Sequence, residues 1–351
     1  MPVTDKLLRN LLIGALAGGA IYVLQPFLVP VAFGFMLAML LTPICTWLEK
    51  KGIAASVAPV ICVVLFLAFI SGIIALLWWQ VAGVAEDADQ IALQINKIPK
   101  MAQDYISRTL GVSAERQLNL LKEQTSALTS KAGGKMVVAA GSILSISGKF
   151  LLVTIYTFLF IFYRKHLASF LLKLVPAQEQ PVAEKIMSSC GEVAQKYIVG
   201  LGIMIATLWV MYGIGFSIIG IKHALFFAIL CGLLETVPYV GNLTGSLLTA
   251  VLAFTQGGTS MALWVLAVYG IVQFTQTYLL EPLIVGAKVS INPLFTIMAI
   301  IAGEMLWGIP GMVLAIPILA IFKIICDNIP SLRPYGFLVG EVKYPNKRHQ
   351  K

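Results

Sequence analysis

A chain of 351 residues in which 59% are hydrophobic and only 12% charged is excluded from the ordinary soluble domains, where about a quarter of residues carry charge. The net charge of +9 does not mark a nucleic-acid surface, because the basic residues stand at the ends of apolar runs and form no stripe interleaved with aromatics. Cys45, Cys62, Cys190, Cys231 and Cys326 form no CxxC pair and no metal spacing, so they read as small membrane-buried side chains, and no metal or cofactor is expected.

The first uncharged run, residues 10–48, carries Gln25, Pro26 and Pro30 and divides there into two spans, about residues 7–24 and 27–48. Lys6 and Arg9 precede the first, and Lys50 and Lys51 follow the second, which places both ends in the cytoplasm under the positive-inside rule. The apolar run after Arg9 has no small-residue cleavage site, so it reads as an uncleaved first span. A third span begins near Ile53 and ends at Trp78 and Trp79, an aromatic pair suited to the outer interface. Residues 86–135 shift to a soluble composition, with Ile91, Ile95, Ile98, Tyr105 and Leu121 at loosely helical spacing. They predict a helical extracytoplasmic insertion, long enough to escape the charge rule. A fourth span ends at Tyr163 and meets Arg164 and Lys165 inside. Residues to 196, with Pro176 and Pro181, read as a cytoplasmic amphipathic connector, and a fifth span, 197–221, exits to Lys222 and His223.

Two apolar stretches then break in the middle. Residues 224–254 break at Glu235, Thr236, Pro238, Gly241 and Asn242, and residues 293–327 break at Glu304, Gly308, Pro310 and Gly311. An arm of the first covers about 17 Å, near half of a bilayer core of about 30 Å, so it cannot span alone. Irregular backbone at that depth requires protein or a water-filled cavity around it. Both stretches are therefore expected as re-entrant helical hairpins, with a sixth span, about residues 260–280, between them. Lys288 would then lie inside; with two kinked spans it would lie outside, and both versions leave the basic tail, residues 333–351, in the cytoplasm. The fold expected is an all-α polytopic membrane protein of about six full transmembrane helices plus two re-entrant hairpins, about eight membrane segments in all. Its divisions are residues 1–85, the insertion 86–135, the fourth span and connector 136–196, a transport region 197–329 and the tail 330–351.

No HExxH, GxSxG or P-loop occurs, and His166, His223 and His349 all lie in polar flanks, so no nucleophile and base can be paired and an enzyme is not expected. The carboxylates carry more. Glu235 and Glu304 each precede a break, at the negative end of a half-helix, where a carboxylate away from water needs a proton or a cation. New helices starting at Asn242 and Gly311 offer free backbone N–H groups to a polar solute. Gln273 and Gln276 share a face of the sixth span, with Thr277 adjoining, and either bind helices together or line a pathway. Glu281 and Pro282 end that span near the interface, where Glu281 is expected to pair with a basic neighbour. Paired interrupted segments point to a transporter's binding site. A secondary transporter of a small polar solute, coupled to H+ or Na+, is the reading; cation/proton antiport without an organic substrate and a membrane scaffold remain as alternatives.

The run Glu235-Thr-Val-Pro-Tyr-Val-Gly241, with Gln273, Glu281-Pro282, Asn292-Pro293, Gly303-Glu304, Gly308 to Gly311 and Ala315-Ile-Pro317, resembles the autoinducer-2 exporter family, also described as a permease family. The resemblance covers nearly the whole chain. It implies a multi-pass protein of the bacterial inner membrane, two helical hairpins, a homopentamer and an elevator-like mechanism in which each protomer works alone. It further implies transport of small signalling molecules such as autoinducer-2, or sodium or lithium/proton exchange, with the tips around Glu235, Pro238, Gly241 and Gly308 to Gly311 flanking the substrate.

Overall fold

The computed structural model describes residues 3–86, 135–236, 240–286 and 291–341. Among them every regular element is helical, and one isolated antiparallel bridge joins Ile291 to Gly340. The insertion expected between Glu86 and Lys135 lies outside the described residues. Among the described residues five helices are long and apolar enough to cross a membrane, or six when one bent pair is taken as a single span.

Helix α1 (Val3–Val23) joins α2 (Gln25–Lys50) through one non-helical residue, Leu24, at φ −82° and ψ 8°. The break expected between residues 24 and 27 is thus confined to Leu24. Pro26 sits in the first turn of α2, where the missing N–H has no helical partner to lose. α2 packs with α3 (Ala58–Glu86) and α4 (Lys135–Phe162) around Leu41, Cys45, Leu48, Cys62, Val63 and Ile161. Gly34 sets the closest approach, since a methyl group there would stand 2.6 Å from Tyr156 Cβ.

Helix α5 (Arg164–Lys173) leaves α4 at an angle of 66°. A short 3-10 turn leads into α6 (Gln180–Ile219), an uninterrupted helix of 40 residues, about 60 Å long. The connector and fifth span expected as separate pieces are therefore one helix from Gln180 onward. Pro181 falls in its first turn, and no residue between there and Ile219 interrupts the helical ladder.

α6 is the spine of the molecule. Its first half packs Ala194 against Met36 of α2 and Leu314. Its second half packs Met204, Leu208, Tyr212 and Phe216 against Phe227, Ala228 and Cys231 of α7 (Ala224–Leu234) and Ala253, Val265 and Val272 of α8 (Val240–Thr275). α8 is two helices in one, turning at Gly257 and Gly258; Gly258, at φ 67° and ψ −158°, occupies backbone space open only to glycine. It continues as a π-helix, Gln276–Gly286. After it come α9 (Pro293–Trp307), α10 (Ile309–Asn328) and α11 (Arg333–Val339). The first part of the expected tail is thus structured: α11 folds back so that Gly336 lies directly against Asp327 at the end of α10.

Candidate functional site

Both interrupted stretches double back. In the first, the Lys222 N–H donates to Gln256 Oε1 at 2.9 Å, which brings the two ends together. Further along, Cys231 Sγ lies 3.4 Å from Thr249 Oγ1, and a methyl group at Gly245 would stand 3.2 Å from the same sulfur. At the tip Gly241 presses on the Leu234 carbonyl so closely that no side chain fits. The succession of partners runs backward along α7 as it runs forward along α8, so α7 and the first part of α8 form an antiparallel helical hairpin. Trp209 of α6 steadies it by donating its indole N–H to the Ile229 carbonyl at 3.1 Å.

The second hairpin is α9 and α10, reversed at Gly308 with φ 64° and ψ −145°. Gly303 and Gly311 face each other there; a methyl group on Gly303 would stand 2.5 Å from the Gly311 carbonyl oxygen. Its base is closed by α11. The Asn292 N–H donates to the Val339 carbonyl at 2.9 Å, while Asn292 Oδ1 caps α9 by accepting from the Leu294 N–H at 3.0 Å.

The hairpins meet α6 at neighbouring levels. The first meets it at Ile205 and Trp209, where Gly232 is in contact with the indole ring. The second brings Trp307 into the cluster that holds Ala194 and Ile198. Ile198 and Ile205 are about 10 Å apart along the helix.

Polar side chains gather at the first tip. Glu235 is the C-cap of α7. Gln276, only 2% exposed, donates its Nε2–H to Glu235 Oε1 at 3.0 Å. Its own carbonyl oxygen is buried with no hydrogen-bond partner among the described residues. Gln276 also opens the π-helix, whose bonding runs from residue i to i+5. This winding sets Glu281 five residues on within hydrogen-bonding reach of the Gln276 amide. The apolar span that could cross a membrane ends at Glu281, as expected, while the helix itself runs on to Gly286; the described side-chain neighbour of Glu281 is an amide in place of the expected base. Pro282 has no N–H to give the Tyr278 carbonyl, and a wider winding is the local alternative to a break.

The other expected site residues are distributed differently. Gln273, half-buried, donates to the exposed Thr277 Oγ1 at 3.2 Å. Thr236 is half-buried in the turn after Glu235. Pro238 and the side chain of Asn242 lie outside the described residues; α8 itself begins two residues earlier than expected, at Val240. Glu304 lies in the last turn of α9 with its side chain exposed, and only its backbone carbonyl is engaged at the tip, accepting from the Gly308 N–H at 2.8 Å. Pro310 stands in the first turn of α10, and Gly311 is buried against Gly303.

Two polar contacts have no counterpart in the sequence pattern. At the second tip the Trp307 indole N–H donates to the Ile21 carbonyl at 3.2 Å, and Gln25 Nε2–H donates to the Trp307 carbonyl at 3.2 Å. The junction of α1 and α2 thereby latches the second hairpin. Gln25 reads locally as turn punctuation; only its position as an uncharged polar residue inside a long apolar run hinted at a distant partner.

The family model for "AI-2E family transporter" matches residues 11–331. "Putative transport protein YrrI" of Bacillus subtilis (strain 168) is 25% identical over 324 residues, covering 89% of each chain. "Putative transport protein YueF" of the same organism is 27% identical over 94% of this chain and 93% of its own, and "Putative transport protein MT0215" of Mycobacterium tuberculosis (strain CDC 1551 / Oshkosh) is 25% identical over 90% and 87%. The chain belongs to the AI-2E transporter family, and with its apolar helices this supports a membrane transport function.

Proposed function

We propose that this member of the AI-2E transporter family is a secondary transporter that moves a small polar solute across the bacterial inner membrane, between two re-entrant hairpins inserted from opposite sides. The observation that carries the proposal is the Glu235 and Gln276 pair at the first tip. A carboxylate and a buried, unpartnered amide carbonyl form an acceptor set in an apolar setting, and such a set suits a solute with hydrogen-bond donors, a proton or a cation. Glu281, brought toward Gln276 by the π-helix, enlarges the set. The family's name adds autoinducer-2-like molecules as the solute class. An elevator-like displacement in each protomer of a homopentamer completes the reading, with the hairpins and the adjoining part of α6 as the travelling unit.

The same acceptor set favours a second reading, Na+ or Li+ exchange for H+ with no organic solute. Flux into proteoliposomes with and without an imposed proton or sodium gradient separates them. Solute accumulation that collapses with the gradient supports the first; ion exchange without solute movement supports the second; no flux of either kind refutes both and leaves a scaffold.

A further inference from the structure

Helix α5 is amphipathic and has no buried residue. Leu167, Phe170, Leu171 and Leu174 recur at the spacing of one helical face, and they are 38%, 53%, 48% and 66% exposed. Lys165, Ser169 and Lys173 line the opposite face, with His166 beside them. Neither lysine has an acidic partner among the described residues.

The position of α5 identifies what covers the apolar face. Arg164, its first residue, binds Glu49 at 2.6 Å and so fixes the start of α5 to the end of α2. At that level Trp47 is exposed with Lys51 Nζ 4.2 Å from its ring centroid, and Tyr163 is exposed at the bend itself. Exposed aromatics beside lysines at the end of apolar helices mark a membrane boundary. A helix that turns 66° away from a spanning helix at this level runs along the boundary instead of away from it.

We propose that α5 is an interfacial helix whose apolar face sits among the acyl chains and whose lysines bind anionic lipid headgroups, in the leaflet that holds Lys50 and Lys51. The charge is complementary: Lys50, Lys51 and Lys165 stand at one end of the α2 and α4 bundle and Lys173 follows at the far end of α5, and anionic lipid attracts such juxtamembrane lysines. The inference is independent of what is transported. It gives leaflet charge a direct route to α6, which follows α5 after one short turn.

Two measurements on the full chain in nanodiscs test it. With the native cysteines replaced, single spin labels go on Phe170→Cys, Leu174→Cys and Ser169→Cys. The labels at 170 and 174 are expected to collide several-fold more with oxygen than with a water-soluble nickel chelate, and the label at 169 is expected to reverse that order. Water access at 170 and 174 overturns the proposal in favour of a cytosolic helix, and labels closed to both reagents overturn it in favour of a protein partner. The second measurement compares tightly bound phosphatidylglycerol with phosphatidylcholine in nanodiscs of a 1:3 mixture (roughly this ratio). The double variant Lys165→Gln/Lys173→Gln is expected to lower the preference for the anionic lipid by at least about fivefold; an unchanged preference overturns the charge assignment.

Discussion

Gln276 is the residue on which the first tip depends, because its amide joins the sixth span to the end of α7. Replacing it with leucine removes a hydrogen bond to a carboxylate, an interaction worth about 1.5–3 kcal/mol. Gln276→Leu is therefore expected to lower the melting temperature in detergent and weaken solute binding together. Glu235→Gln is expected to act differently: the size and a hydrogen bond to Gln276 remain, so stability and binding persist, while gradient-driven accumulation falls to the level seen without a gradient. Glu304→Gln is the matched comparison. Its side chain is exposed and stands on the other hairpin, so gradient dependence is expected to survive. If Glu304→Gln abolishes coupling and Glu235→Gln does not, the coupling group belongs to the second tip.

The elements show which parts of the fold a single sequence can reveal. The two reversals were legible because proline and glycine interrupt otherwise unbroken apolar runs. The sequence could not show which glycines fit the reversal and which fit the contact between arms. Gly308 supplies the positive φ, whereas Gly241 and Gly311 are set by the backbone of the facing arm. Nor could it show the π-helix, since an i to i+5 ladder has no periodic signature in an apolar segment, or the latch at Trp307, whose partners are 282 and 286 residues away. Both kinds of contact yield tests. Gly311→Ala forces a methyl group into the Gly303 carbonyl and is expected to cost about 1–3 kcal/mol of overpacking, read as loss of monodisperse protein on heating. Trp307→Phe keeps the ring but removes the donor to Ile21, an expected loss of about 1 kcal/mol, and amide exchange should rise at the tip around Gly308 while the base near Asn292 stays protected.

At the scale of the whole molecule, the closed bases support the proposed count of crossings. The first hairpin begins and ends at the contact between Lys222 and Gln256. The second begins at Asn292 and has its far end returned to the same place by α11 through Val339. If the hairpins are re-entrant as proposed, each gives the chain back to the side it left, and the crossings fall to α6 and the second part of α8. The first half of α6 carries Glu184, Lys185, Glu192 and Lys196, charges that belong outside the hydrocarbon, while its second half is apolar and core-forming. On the proposed reading, with the basic ends of α2 and α5 in the cytoplasm, α6 would lead outward, the first hairpin would return outward at Gly257, and the rest of α8 would lead back inward. Single cysteines at Gly257 and Lys288 in a chain without the five native cysteines test this with a membrane-impermeant maleimide on intact cells. Labelling of 257 from outside, and of 288 only after the cells are opened, is the expected pattern. Labelling of 288 from outside would require each broken stretch to cross completely, which the 11 residues of α7, about 17 Å long, could do only by extending the first hairpin and breaking the contact between Lys222 and Gln256.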